Sequence, residues 1–153
     1  MIALLLALQL ASAEPGQFIA GGDVATSFDG GKAMFRGYLD YGLYRRLSTT
    51  MELSGLPDTR AVTAGLGVNF AMVDSRWWRI SIAVFPALTV APGPDKAPGL
   101  PLIEDKLALV GRAGLRINWL AFWGLSFTGR VDLVSPLVAP PWPEVGFGIA
   151  ARI

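Results

Sequence analysis

The chain contains no cysteine and no histidine among its 153 residues. Without Cys there is no disulfide framework and no thiolate chemistry. Without His, every catalytic triad, zinc site or acid–base pair built on imidazole is excluded. Charge is scarce too: 16% of residues are Asp, Glu, Lys or Arg, against about 25% in an average soluble domain. The 13 basic and 12 acidic residues leave a net charge of +1 with no basic cluster, so the electrostatic footprint of a nucleic-acid partner is missing. Apolar residues make up 52% of the chain, far too many for a disordered polymer. The length suits one domain.

The first segment reads as a targeting signal. Ile2 to Leu10 is an apolar run, and Ala11-Ser12-Ala13 supplies the small-x-small pattern of a signal-peptidase site. The run is shorter than the roughly 20 residues of a membrane-spanning helix. Cleavage is expected before Glu14, giving residues 1–13 as signal peptide and 14–153 as one exported domain. No later stretch is long and apolar enough for a spanning helix, and 18 Gly with 11 Pro argue against long helices in general.

What recurs instead is period 2. Val62, Ala64, Leu66, Val68, Phe70 and Met72 alternate with Thr63, Gly65, Gly67, Asn69 and Ala71; Leu107 to Trp119 and Trp123 to Leu133 repeat the pattern. Successive side chains of a strand point to opposite faces, so each segment has one oily face and one polar or small face. The same rhythm predicts eight strands, over 17–28, 33–44, 47–56, 60–72, 77–89, 106–119, 122–134 and 144–153. Tight turns at Arg45-Arg46, Val73 to Arg76 and Leu120-Ala121 alternate with longer connections at Asp29 to Gly31, Pro57 to Thr59, Val90 to Asp105 and Ser135 to Pro143. An even number of strands wired in this way predicts an all-β, eight-stranded antiparallel up-and-down transmembrane barrel. Both termini then lie on the tight-turn side, the periplasm.

Alternation by itself fits two sidednesses: oil facing lipid, or oil facing the lumen of a soluble exported barrel that binds an apolar ligand. The second arrangement would put Leu66, Phe127 and Ile149 inside. Three features favour the first. Strand charges share the polar face: Asp23, Arg36, Asp40, Glu52, Arg79, Lys106, Arg112, Arg116, Arg130, Asp132, Glu144 and Arg152. That face is also rich in Gly, Ala, Ser and Thr, as a narrow lumen requires. Tyr41, Tyr44, Trp77, Trp78, Trp119 and Trp123 cluster beside the tight turns, where an interfacial aromatic belt would lie.

The pattern resembles the small eight-stranded outer-membrane barrels of the OmpA/OmpX type, over essentially all of residues 14–153. Its most specific piece is the last strand, Glu144 to Ile153, with Val145, Phe147, Ile149, Ala151 and Ile153 alternating back from the terminus. The resemblance implies that Val145, Phe147, Ile149 and Ile153 form a C-terminal assembly signal read by the outer-membrane assembly machinery, with Ile153 where such chains usually end on Phe. It also implies a lipid-bilayer environment and an outer-membrane location.

Of the charged lumen residues, seven are basic and five acidic, and they must pair because an unpaired buried charge costs several kcal/mol. Arg130 and Asp132 are same-face neighbours; Arg112 and Arg116 are expected to reach Glu52, Asp40 or Asp132 on other strands. Such a lumen is either a closed, salt-bridged core or a narrow conduit for small or apolar molecules. No catalytic, cofactor or metal site is expected. The barrel hydrolases and acyltransferases of the outer membrane rely on His, and the adjacent acids Glu104-Asp105 read as a solvated turn or at best a weak cation site. Asp29-Gly30-Gly31-Lys32 is hairpin-turn chemistry. The Pro/Gly-rich segment 90–105 and the segment 135–143, with its Pro-Pro-Trp-Pro, are candidate loops for an unidentified ligand or partner.

Overall fold

The computed structural model describes residues 15–27, 33–57, 61–75, 77–90, 107–122, 124–136 and 140–153, the side chains of 107 and 122 excepted. The expected signal peptide, Lys106, Trp123, Asp29 to Lys32, Glu104-Asp105 and most of the segment 90–105 lie outside the described residues, as do 137–139 of the segment 135–143.

Eight strands follow one another: β1 Phe18–Ser27, β2 Ala33–Tyr44, β3 Leu47–Leu56, β4 Ala61–Asp74, β5 Trp78–Val90, β6 Leu107–Phe122, β7 Leu125–Pro136 and β8 Trp142–Arg152. Each pairs antiparallel with its sequence neighbours, and β1 also pairs with β8, closing a barrel with no free edge. The shortest strands have 10 residues. At about 3.3 Å per residue and a tilt near 40°, ten residues climb about 25 Å, the height of an outer-membrane apolar band.

The period-2 pattern is realised with the oily face outward. Among the described residues, the 33 large exposed hydrophobic ones include Leu66 (60% exposed), Phe127 (57%) and Ile149 (61%), which overturns the soluble-barrel arrangement that would bury all three. Inside, among the described residues, lie 20 polar or charged residues, while seven of the 13 buried apolar residues are alanine. A barrel of eight strands leaves room only for side chains, so small residues must surround the few long ones.

The turn at Arg45-Arg46 lies where expected, while the other two tight turns sit differently from the sequence expectation. Bulges interrupt the ladders between Gly42 and Tyr44, Ala71 and Val73, and Leu120 and Phe122, each beside a tight turn. A bulge adds one residue to a strand without ending it. β4 therefore runs on to Asp74 and β6 to Phe122, and the expected turns at Val73 to Arg76 and Leu120-Ala121 move past them. The β6–β7 turn passes through Gly124, whose φ of +80° suits a residue without a Cβ.

Every exposed Trp or Tyr among the described residues lies at the tight-turn end: Tyr41, Tyr44, Trp77, Trp78 and Trp119. Trp78 and Trp119 are cross-strand partners with stacked rings 5.8 Å apart, and Trp119 meets Phe127 at 6.1 Å. Phe18 packs on Tyr41 at 4.8 Å. Of the terminal-strand residues, Phe147, Ile149 and Ile153 face outward and exposed, with Val145 half-buried.

Candidate functional site

Alternation places Arg36 on β2, Glu52 on β3, Arg112 on β6, Arg130 and Asp132 on β7, and Glu144 on β8 on the inner face, where barrel closure brings them together. They form a closed ring of alternating charge. Glu52 accepts from Arg112 Nη1 through Oε1 at 2.6 Å and from Arg130 Nη1 through Oε2. Arg130 Nε donates to Asp132 Oδ1 at 2.7 Å, and Asp132 Oδ2 accepts from Arg36 Nη1. Glu144 Oε2 completes the circuit, 3.4 Å from Arg36 Nη1 and 3.5 Å from Arg112 Nη2. Asp23 on β1 joins from outside the ring, accepting from Arg36 Nε at 2.6 Å. Six strands are tied across the lumen by these seven side chains. On the two that are not, Phe85 of β5 fills the space above Gly65 and Gly67 of β4, and the Arg130 guanidinium lies 5.6 Å from its ring.

A second group lies nearer the tight turns. Asp40 accepts from Arg116 Nη1 at 2.7 Å, Thr50 Oγ1 at 2.7 Å and Asn69 Nδ2 at 3.1 Å. Arg116 covers the Tyr38 ring at 3.7 Å, and the Tyr38 hydroxyl meets Thr128 Oγ1 at 3.2 Å. Arg116 and Arg130 are direct cross-strand partners, an arrangement of like charges that is unfavourable by itself. Each is neutralised by a different acid, Arg130 in the ring and Arg116 at Asp40. The ladder also sets Asp132 opposite Glu144, and Arg36 contacts both.

Arg79 is buried at the tight-turn end, opposite Asp74 in the β4–β5 ladder, with Arg152 half-buried close enough for its charge to act on it. Asp74 is the lumen residue that the sequence reading missed. The bulge at Ala71/Val73 turns Met72 and Val73 both outward, so Asp74 returns inward. With Asp74 counted, the described lumen holds six acids (Asp23, Asp40, Glu52, Asp74, Asp132, Glu144) and six arginines (Arg36, Arg79, Arg112, Arg116, Arg130, Arg152). It is electrically balanced. Tyr38 and Phe85 were also passed over, although both share the inward period of their neighbours Arg36 and Asp40, and Ala83 and Ala87.

Glycines make room for this network. A Cβ on Gly114 would collide with Asp132 Oδ1, one on Gly146 with Arg36 Nη2, and one on Gly148 with the Gly22 carbonyl. A methyl group at Gly114 or Gly146 therefore competes with the ion pairs for space, and one at Gly148 with the backbone of β1. Toward the longer loops the lumen becomes apolar: Ala108, Val110 and Val134 pack with Trp142, whose Nε1 donates to Glu144 Oε1 at 3.2 Å. No group of three or more Asp or Glu side chains placed to hold a metal ion is found among the described residues.

No protein-family model matches the chain, and no curated protein matches its sequence. Solved structures do match. The N-terminal β-barrel domain of Pseudomonas aeruginosa OprF superposes with a TM-score of 0.73 at 10% identity, covering 90% of this chain and 98% of that one. A de novo designed transmembrane β-barrel gives 0.68 at 11% identity, covering 93% and 99%. Yersinia pestis outer membrane protein Ail, in a phospholipid bilayer nanodisc, gives 0.57 at 12%, covering 90% and 99%. The fold is that of the small eight-stranded outer-membrane barrels. One of these neighbours was designed, so the likeness speaks to architecture and leaves function to the residues.

Proposed function

We propose that this chain is an integral outer-membrane barrel, exported through the signal peptide at residues 1–13, with both termini periplasmic and a lumen closed by its ion-pair ring. Its role is then structural or partner-binding, exercised through the outer loops at 90–105 and 135–143. The observation that carries the reading is the pairing of an oily exterior with a ring of three arginines and three carboxylates that ties opposite walls together. An apolar surface of this extent has no stable place in water. Charges on that surface would cost about 2–4 kcal/mol each at the bilayer midplane, and the strands keep theirs inside. Insertion by the assembly machinery through Val145, Phe147, Ile149 and Ile153 belongs to the same reading.

Among the described residues, five of the six buried carboxylates form ion pairs with arginines, and Asp74 lies opposite Arg79 in the β4–β5 ladder, which supports a holding role over a catalytic one. The alternative is a narrow conduit for small or apolar molecules. Two measurements decide. Gel mobility of the membrane fraction, with and without boiling in detergent, is expected to show a fast compact band that shifts on heating; an unshifted band in the soluble extract refutes the membrane reading. Planar-bilayer recording is expected to show no steady current, and a reproducible unitary conductance would establish the conduit instead.

A further inference from the structure

Each acidic side chain among the described residues is buried in the lumen, and so are the arginines apart from three. Arg152 is half-buried; Arg45 and Arg46, side by side in the β2–β3 turn, are exposed. These two are the fully exposed charged side chains of the described barrel. They sit at the end where the exposed Tyr and Trp residues gather, over an apolar platform of Leu43, Tyr44, Leu47, Phe70 and Met72.

The turn is held on both flanks. Gly42 N donates to Gln17 O and Gly16 N to Gly42 O, both at 3.0 Å, and Ala71 N donates to Arg46 O at 2.8 Å. The backbone of the turn is thus pinned, and it carries two adjacent arginines just beyond an aromatic belt that marks the headgroup depth. A guanidinium recognises a phosphodiester through paired N–H donors. Among the described residues no carboxylate pairs with Arg45 or Arg46, so within that set their capacity is unused.

We propose that the Arg45-Arg46 turn docks the headgroup of an anionic phospholipid in the leaflet at the tight-turn side, its acyl chains lying on Leu43, Leu47, Phe70 and Met72. The proposal rests on the membrane reading above. A zwitterionic lipid carries its own cation beside the phosphate, so two added positive charges favour the anionic lipid. At about 1 kcal/mol per basic residue near an anionic surface, the pair corresponds to a preference of roughly thirtyfold.

The test uses the full chain folded into vesicles of equal phosphatidylcholine and phosphatidylglycerol, extracted gently, with retained lipid identified by native mass spectrometry. Phosphatidylglycerol is expected to be retained over phosphatidylcholine by tenfold or more, and the preference to fall in 0.5 M salt. The double variant Arg45→Gln/Arg46→Gln should bring the ratio close to one with the heat-shifted gel band intact, while Arg45→Lys/Arg46→Lys keeps most of it. Retention of both lipids in their bulk proportion, or a glutamine variant that still selects phosphatidylglycerol, overturns the proposal. Failure of the chain to insert in either lipid is a different result, and it overturns the membrane reading.

Discussion

Replacing Glu52 by glutamine removes one negative charge from the centre of the ring without changing the side chain's size. Glu52 engages Arg112 and Arg130 with separate oxygens, and all three side chains are buried. The amide retains one acceptor, but its NH2 group points a donor at a guanidinium, and the lumen is left with one uncompensated positive charge. Breaking a buried pair from one side costs about 3–5 kcal/mol, a large share of the roughly 5–15 kcal/mol by which folded domains are stable. Glu144 provides an internal control, since its arginine contacts are longer, 3.4 and 3.5 Å. Glu144→Gln is expected to cost about 1–3 kcal/mol, the range for a charge-assisted hydrogen bond lost. The assay is urea unfolding in lipid vesicles, with the midpoint moving at constant slope. The order, Glu52 above Glu144, does not depend on the absolute scale. A Glu52→Gln cost below about 1 kcal/mol, the value for solvent-exposed ion pairs, would mean that water screens the lumen and that the ring does not hold it shut. A reversed order would refute the reasoning from contact geometry.

Further outcomes follow from the same geometry. Gly67→Ala, whose Cβ would overlap Phe85 Cβ and the Val84 carbonyl, should abolish the heat-shifted band; Gly37→Ala, with its nearest atom 4.0 Å away, should unfold within about 1 kcal/mol of the parent. Gly114→Ala should destabilise by about 1–3 kcal/mol in vesicle unfolding, because Asp132 must leave its place between Arg130 and Arg36. Leu66→Arg on the outer face should cost about 2–4 kcal/mol and Leu47→Arg, beside the tight turn, about 0–1; equal costs would contradict the membrane depth assigned to them. Tryptophan emission should be quenched more by lipids brominated near the glycerol than near the chain end, and Trp77→Phe, Trp78→Phe and Trp119→Phe together should reduce that difference.

Strand existence and the facing of side chains could be read directly, because pleating is local: Leu66 and Gly67 point opposite ways whatever else the chain does. The eight strands and the gathering of their charges on one face follow from that two-residue period. Strand ends next to the tight turns could not be read, since a bulge has no signature in the alternation except its failure. At Ala71/Val73 and Leu120/Phe122 that failure looks like a turn, and so Asp74 was placed outside the lumen it enters.

Alternation distinguishes two faces and leaves open which one is inside; that depends on the closure of β1 on β8 and the curvature it imposes. The partners of the charges belong to the same level. Arg36 is 96 residues from Asp132, and Arg112 is 60 from Glu52. Ladder neighbours alone would set Arg116 against Arg130 and Asp132 against Glu144, like against like. The sequence by itself determined strands, faces and the stock of charges, because those are properties of a residue and its nearest neighbours. Which acid meets which arginine was decided by the tertiary structure, because only a closed and staggered barrel brings opposite walls within the few ångströms over which a salt bridge acts.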